Sequence, residues 1–149
     1  MVLLTLLPIY IALVLWLLIP RTPINVRDTV KELVDNGRPA DALYTLELGL
    51  VRIPWDDEGP LFSLAIQRNI ELLAFAERLF TDENVAKGLH AAQLRLQGLR
   101  QDYPSLDRTN HEMLIRRGAA VLAEMNDIAR ELRHLAREMR KQPSRPNPH

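Results

Sequence analysis

Glu131 and His134 stand three positions apart, the spacing by which carboxylate-bridged di-iron bundles set two ligands on one helix face. Such a centre needs a second copy of the pair and further glutamates around it, and the sequence supplies neither. Leu132 and Leu135 claim the buried side of the same stretch, which leaves Glu131 and His134 flanking it or facing solvent. His111-Glu112 opens like a zinc-protease helix but lacks the second histidine that completes the ligand set. Asp56, Asp57 and Glu58 form an acidic run too short for a calcium loop, whose ligands alternate along twelve residues. Beside Trp55 they read either as an exposed acidic turn that binds a basic partner or as a plain solvated loop. There is no cysteine, so disulfides and thiolate metal sites are excluded. The glycines are single, and none builds a phosphate-cradling loop. No catalytic residue, metal site or cofactor is expected.

The charged residues point to surfaces. Net charge is zero, yet nine acidic residues against three arginines lie between Asp41 and Glu83, and six basic residues against two acidic ones lie from Arg130 onward. Solvated helix faces, an internal contact between the two regions, or two separate partner surfaces would each produce this pattern. Arg130, Arg133, Arg137, Arg140 and Lys141 suit a helix C-terminus through its dipole. Arg137, Arg140 and Lys141 could also touch anionic lipid headgroups. No aromatic residue is interleaved for base stacking, so nucleic acid is not an expected partner.

These residues must be carried by helices. Leu and Ala dominate, aromatics make up 5% of the chain, and no segment alternates like a strand. Val2 to Ile19 hold no charge; eighteen residues cover about 27 Å of helix, close to the hydrocarbon thickness of a bilayer. Residues 1–20 are therefore expected to be a transmembrane anchor, with Leu3, Leu6, Ala12, Val14, Trp16 and Leu17 facing lipid and Arg21 closing the exit. A cleaved signal peptide would want a basic residue before the apolar run and small residues at its end, and both are missing. Arg21, Arg27, Lys31 and Arg38 follow the run closely, which by the positive-inside rule favours a cytoplasmic domain.

Residues 21–141 are expected to form one soluble all-α domain of about five antiparallel helices, followed by a disordered Pro-rich tail at 142–149. Thr22-Pro23 reads as a helix start and Asn36-Gly37 as its stop. Pro39 opens a second helix ending at Ile53-Pro54. Pro60 opens a third that reaches about Phe80, with Phe62, Ile66, Ile70 and Leu73 as the centre of the core. A fourth runs from about Asp82 to Asp102, with Thr81 as its cap. The last begins between Ser105 and Asn110 and reaches about Lys141.

That last helix has the most regular pattern in the chain. Leu114, Gly118, Val121, Met125, Ile128, Leu132, Leu135 and Met139 alternate steps of four and three, an a/d seam of more than three heptads. At roughly 45 Å it outruns the preceding helix. Two readings follow: a seam packed within the chain, or a C-terminal third that projects to meet another chain.

The helix pair at about 26–54 resembles a tetratricopeptide unit, the second helix and its flanks resembling the second half of the repeat. Gly37 falls at the turn, Ala42-Leu43 matches the small-plus-aliphatic pair entering the second helix, Leu46 takes the large apolar position, and Pro54 closes the unit. Val26, Thr29, Val30 and Leu33 depart from the first-helix pattern. The resemblance implies a helical hairpin and a protein-binding role.

The expected function is a non-enzymatic, membrane-tethered interaction module, an accessory or assembly subunit of a larger membrane complex. Its contact residues would be Trp55, Asp56, Asp57 and Glu58 together with Met125, Ile128, Leu132, Leu135 and Met139. The alternatives are a membrane-anchored homo-oligomer using the last helix as a coiled coil, and an enzyme with a non-standard helical site.

Overall fold

The computed structural model describes residues 2–18, 25–57, 59–102 and 106–142. Six helices account for nearly all of them: α1 (Val2–Leu18), α2 (Val26–Asp35), α3 (Pro39–Gly49), α4 (Pro60–Leu79), α5 (Glu83–Asp102) and α6 (His111–Lys141). No strand occurs among the described residues.

Local chemistry sets most helix ends. Gly37 takes φ 74°, and Gly37 N–H and Arg38 N–H donate to the carbonyls of Val34 and Leu33, the Schellman closure of α2. Pro39 and Pro60 occupy the first turns of α3 and α4, where a missing N–H costs nothing. Asp82, rather than Thr81, caps α5: its Oδ1 accepts from Asn84 N–H and Val85 N–H at 2.9 and 3.2 Å. Asn110 caps α6 by accepting from Met113 N–H at 3.2 Å. The start of α2 is Val26 after Asn25, whereas Thr22-Pro23 lies outside the described residues.

α3 stops at Gly49, four residues before the expected Ile53, because Val51 is held in another pairing. The Asn69 side chain on α4 accepts from Val51 N–H at 2.8 Å and donates to the Val51 carbonyl at 2.9 Å. Asn69 is 1% exposed, and this two-way bond satisfies both a buried amide and an extended backbone.

Contacts close a ring of five helices: α2 on α3, α3 on α6, α6 on α5, α5 on α4, and α4 back on α2. Leu43, Leu46, Ile66, Leu73, Leu89, Leu96, Ile128 and Leu132 fill its centre, all at 1% exposure or less. The α6 seam is spent inside this ring. Val121, Ile128, Leu132 and Leu135 are buried, and Leu114, Met125 and Met139 are half-buried. The C-terminal third of α6 does not project, since α3 covers it as well as α5. Arg140 meets Asp41 at 3.0 Å and stacks over Tyr44, Arg133 meets Glu47 at 3.4 Å, and Leu135 packs on Gly88. The acidic α3 and the basic end of α6 are thus in internal contact.

α1 stands apart. Among the described residues it touches no other helix, and Leu6, Leu7, Ile9, Tyr10, Ile11, Leu13 and Leu15 are all exposed. It has 17 residues, and among the described residues no helix is long and apolar enough to cross a membrane. Its length comes to about 26 Å against about 30 Å of hydrocarbon. The expected transmembrane helix is therefore not found as such. The tail residues 143–149 lie outside the described residues.

Candidate docking groove

The chain from Leu50 to Trp55 crosses the N-terminal half of α6 and leaves a trough beside it. The Val51–Asn69 pairing holds one wall. Arg117 holds the far end: its guanidinium lies 4.4 Å over the Phe62 ring and donates to the Asp57 carbonyl at 3.5 Å, which pins the acidic turn to α6. Gly118 lets Trp55 lie flat on α6, since a Cβ there would come within 2.9 Å of the indole. The trough has a volume of about 560 Å³ and is lined by Leu50, Val51, Ile53, Trp55, Ile115, Ala119, Val121, Leu122 and Met125, with Glu47 and Arg52 at its rim. Ile115 and Leu122 form its outer lip at 70% and 61% exposure. A smaller hollow of about 390 Å³ adjoins it at Arg52, Pro54, Trp55 and Asp56. Such a surface has the chemistry to take apolar side chains from a helix; its ionisable side chains among the described residues are Glu47 and Arg52.

Of the nine contact residues expected from sequence, Trp55 and Met125 line this groove. Trp55 is half-buried rather than exposed. Asp56 is exposed at the adjoining hollow. Asp57 is half-buried, its Oδ1 accepting from Gly59 N–H at 2.7 Å, and Glu58 lies outside the described residues. Ile128, Leu132, Leu135 and Met139 belong to the core or pack against it. Sequence reasoning missed Leu50, Val51, Ile115 and Leu122. The signal was present in Ile115, Ala119 and Leu122, a second apolar stripe at steps of four and three beside the seam.

Among the anchor residues, Leu6 and Ala12 are exposed and Val14 half-exposed; Leu3, Trp16 and Leu17 lie on α1, and Arg21 lies outside the described residues. In the C-terminal cluster Arg140 serves Asp41, Lys141 pairs with Glu138 at 3.2 Å, and Arg137 is exposed. Arg140 and Arg38 hold the Asp41 carboxyl below its usual range, the hydrogen bond from Arg140 being the larger cause. Glu131 and His134 are exposed, and no cluster of three or more metal-ligating side chains occurs among the described residues. Compared with known proteins, the chain matches no family model, no curated protein and no solved structure.

Proposed function

We propose that the chain is a non-enzymatic, membrane-tethered interaction module that serves a larger membrane complex as an accessory or assembly subunit. The observation that carries this reading is α1, which from Leu6 to Leu15 exposes apolar side chains around the helix and, among the described residues, touches no other helix. A water-facing patch of that extent calls for an apolar environment. A helix lying flat in the interface would keep one polar face, and α1 has none. In the sequence the uncharged run is eighteen residues, Val2 to Ile19, which as helix would cover about 27 Å. The shortfall of a few Å against the bilayer costs fractions of a kcal/mol per Å through local thinning. Arg21, Arg27, Lys31 and Arg38 favour a cytoplasmic bundle. The groove supports the interaction half of the reading, being open, apolar and built from α6 and the Asn69-held segment Leu50 to Trp55.

Alkaline extraction of membranes tests the tether. The wild-type chain is expected to stay in the pellet, and Ile11→Arg/Val14→Arg, at about 3 kcal/mol per arginine near the helix centre, to move to the supernatant. A wild-type chain released by alkali would end the tether reading. Purification in gentle detergent tests the other half. A membrane protein is expected to accompany the wild type in stoichiometric amount and to be lost from Leu122→Glu; a chain that purifies alone would remove the accessory-subunit role.

A further inference from the structure

α1 and the groove are two exposed apolar surfaces of one chain, and their geometry is matched. From Ile115 to Ala129 the groove follows α6 for fifteen residues, about 22 Å. α1 is about 26 Å long by the same rise. The groove wall is also next to the point where α1 joins the bundle. Val26 packs so closely on Gly49 that a Cβ there would lie 2.5 Å from Val26 Cγ1, and Leu50 and Val51 of the wall follow directly. Residues 19–25 connect α1 to that point, and seven residues reach up to about 24 Å, enough to lay the helix back along α6.

Charge agrees with this occupant. α1 carries no ionised side chain, and the rim offers no net field: Glu47 is engaged by Arg133, and Arg52 and Asp56 stand near one another with opposite signs. We infer that the groove is a second seat for α1, filled when the chain is off the membrane and vacated for a partner when α1 enters a bilayer. The switch rests on the membrane-tether reading; the seat itself does not. A linker of this length gives α1 of the same chain an effective concentration in the millimolar range, far above that of a second copy at micromolar protein.

The absence of native cysteine allows spin labels at Tyr10→Cys and Ala123→Cys in the full chain, diluted out of detergent and then mixed with phosphatidylcholine vesicles. Packed helices lie about 8–10 Å apart. A label separation on the order of 15–25 Å is therefore expected in buffer, lengthening on vesicle binding. Leu122→Glu is expected to remove the short separation with unchanged helicity and to raise apparent vesicle affinity about tenfold, since the competing seat is weakened. A merely structural role for Leu122 would not produce that gain. Long separations in buffer from a chain that still floats with vesicles would overturn the seat and leave the tether standing. A short separation abolished by excess unlabelled chain would assign the seat to a second copy and overturn the intramolecular form. A short separation in a chain that does not bind vesicles would end the tether reading and the switch with it.

Discussion

Asn69 shows how much one side chain can decide. Its amide takes both backbone groups of Val51, and so ends α3 early and stands the groove wall in place. Removing it leaves an N–H and a carbonyl without a partner in a part-buried site, at about 1–3 kcal/mol. Asn69→Ala is expected to lower stability by that amount in chemical denaturation and to speed amide exchange at Val51 relative to the helix centres. Unchanged exchange would mean that the loop is held by packing alone. This explains what the local pattern could not convey. Apolar residues continue at helical spacing through Leu50 and Ile53, and the stop read from the local pattern is Ile53-Pro54. The reason to stop lies eighteen residues away on another helix. Punctuation inside a helix or turn, such as Asn36-Gly37, Pro39 and Pro60, was by contrast readable because its physics is local.

Among the elements, α6 repays the closest look, because its two faces were unequally legible. The a/d seam was visible as a pattern, but its partner was not. Length left projection open beside packing within the chain, and α3 and α5 both lie along the C-terminal part of α6. The stripe Ile115, Ala119, Leu122 escaped notice because its meaning depends on the Leu50–Trp55 segment, placed there by Asn69 and Arg117. Two helix glycines test this packing. Gly88 on α5 faces the end of Leu135, whose Cδ1 would lie 2.7 Å from an added Cβ, and a leucine methyl can swing aside. Gly118 faces the indole of Trp55, three of whose atoms would lie at 2.9 to 3.1 Å, and a ring cannot. Alanine improves helix propensity by about 1 kcal/mol at either place. Gly88→Ala is therefore expected to be near neutral in a denaturation midpoint, whereas Gly118→Ala is expected to lose about 1–3 kcal/mol from overpacking. Equal effects would show that Trp55 is not seated on α6.

For the whole molecule, charge closes what the apolar ring begins. Asp41 on α3 is bound by Arg140 near the end of α6, a contact spanning 99 positions. Its carboxyl is held below the usual range, so the clasp is complete above the ordinary aspartate value and weakens as pH falls through the lowered one. A carboxyl NMR titration is expected to place Asp41 below an ordinary aspartate, and Arg140→Ala to move it back up; an unmoved midpoint would deny the clasp. The acidic middle and basic end of the chain foreshadowed such a contact, but composition could not choose it over solvated faces. The ring has one further property, and it concerns mechanical load. Any load carried through α1 reaches the bundle at Asn25 and Val26, the start of its shortest helix. There α2 is held by Val26 against Gly49 and by Arg27, which lies 5.5 Å over Phe75 and 4.0 Å from Glu71. Load on α1 therefore meets the Val26–Gly49 contact before the rest of α2. That contact lies directly beside Leu50 and Val51 of the groove wall, so strain at the start of α2 is felt first next to the groove.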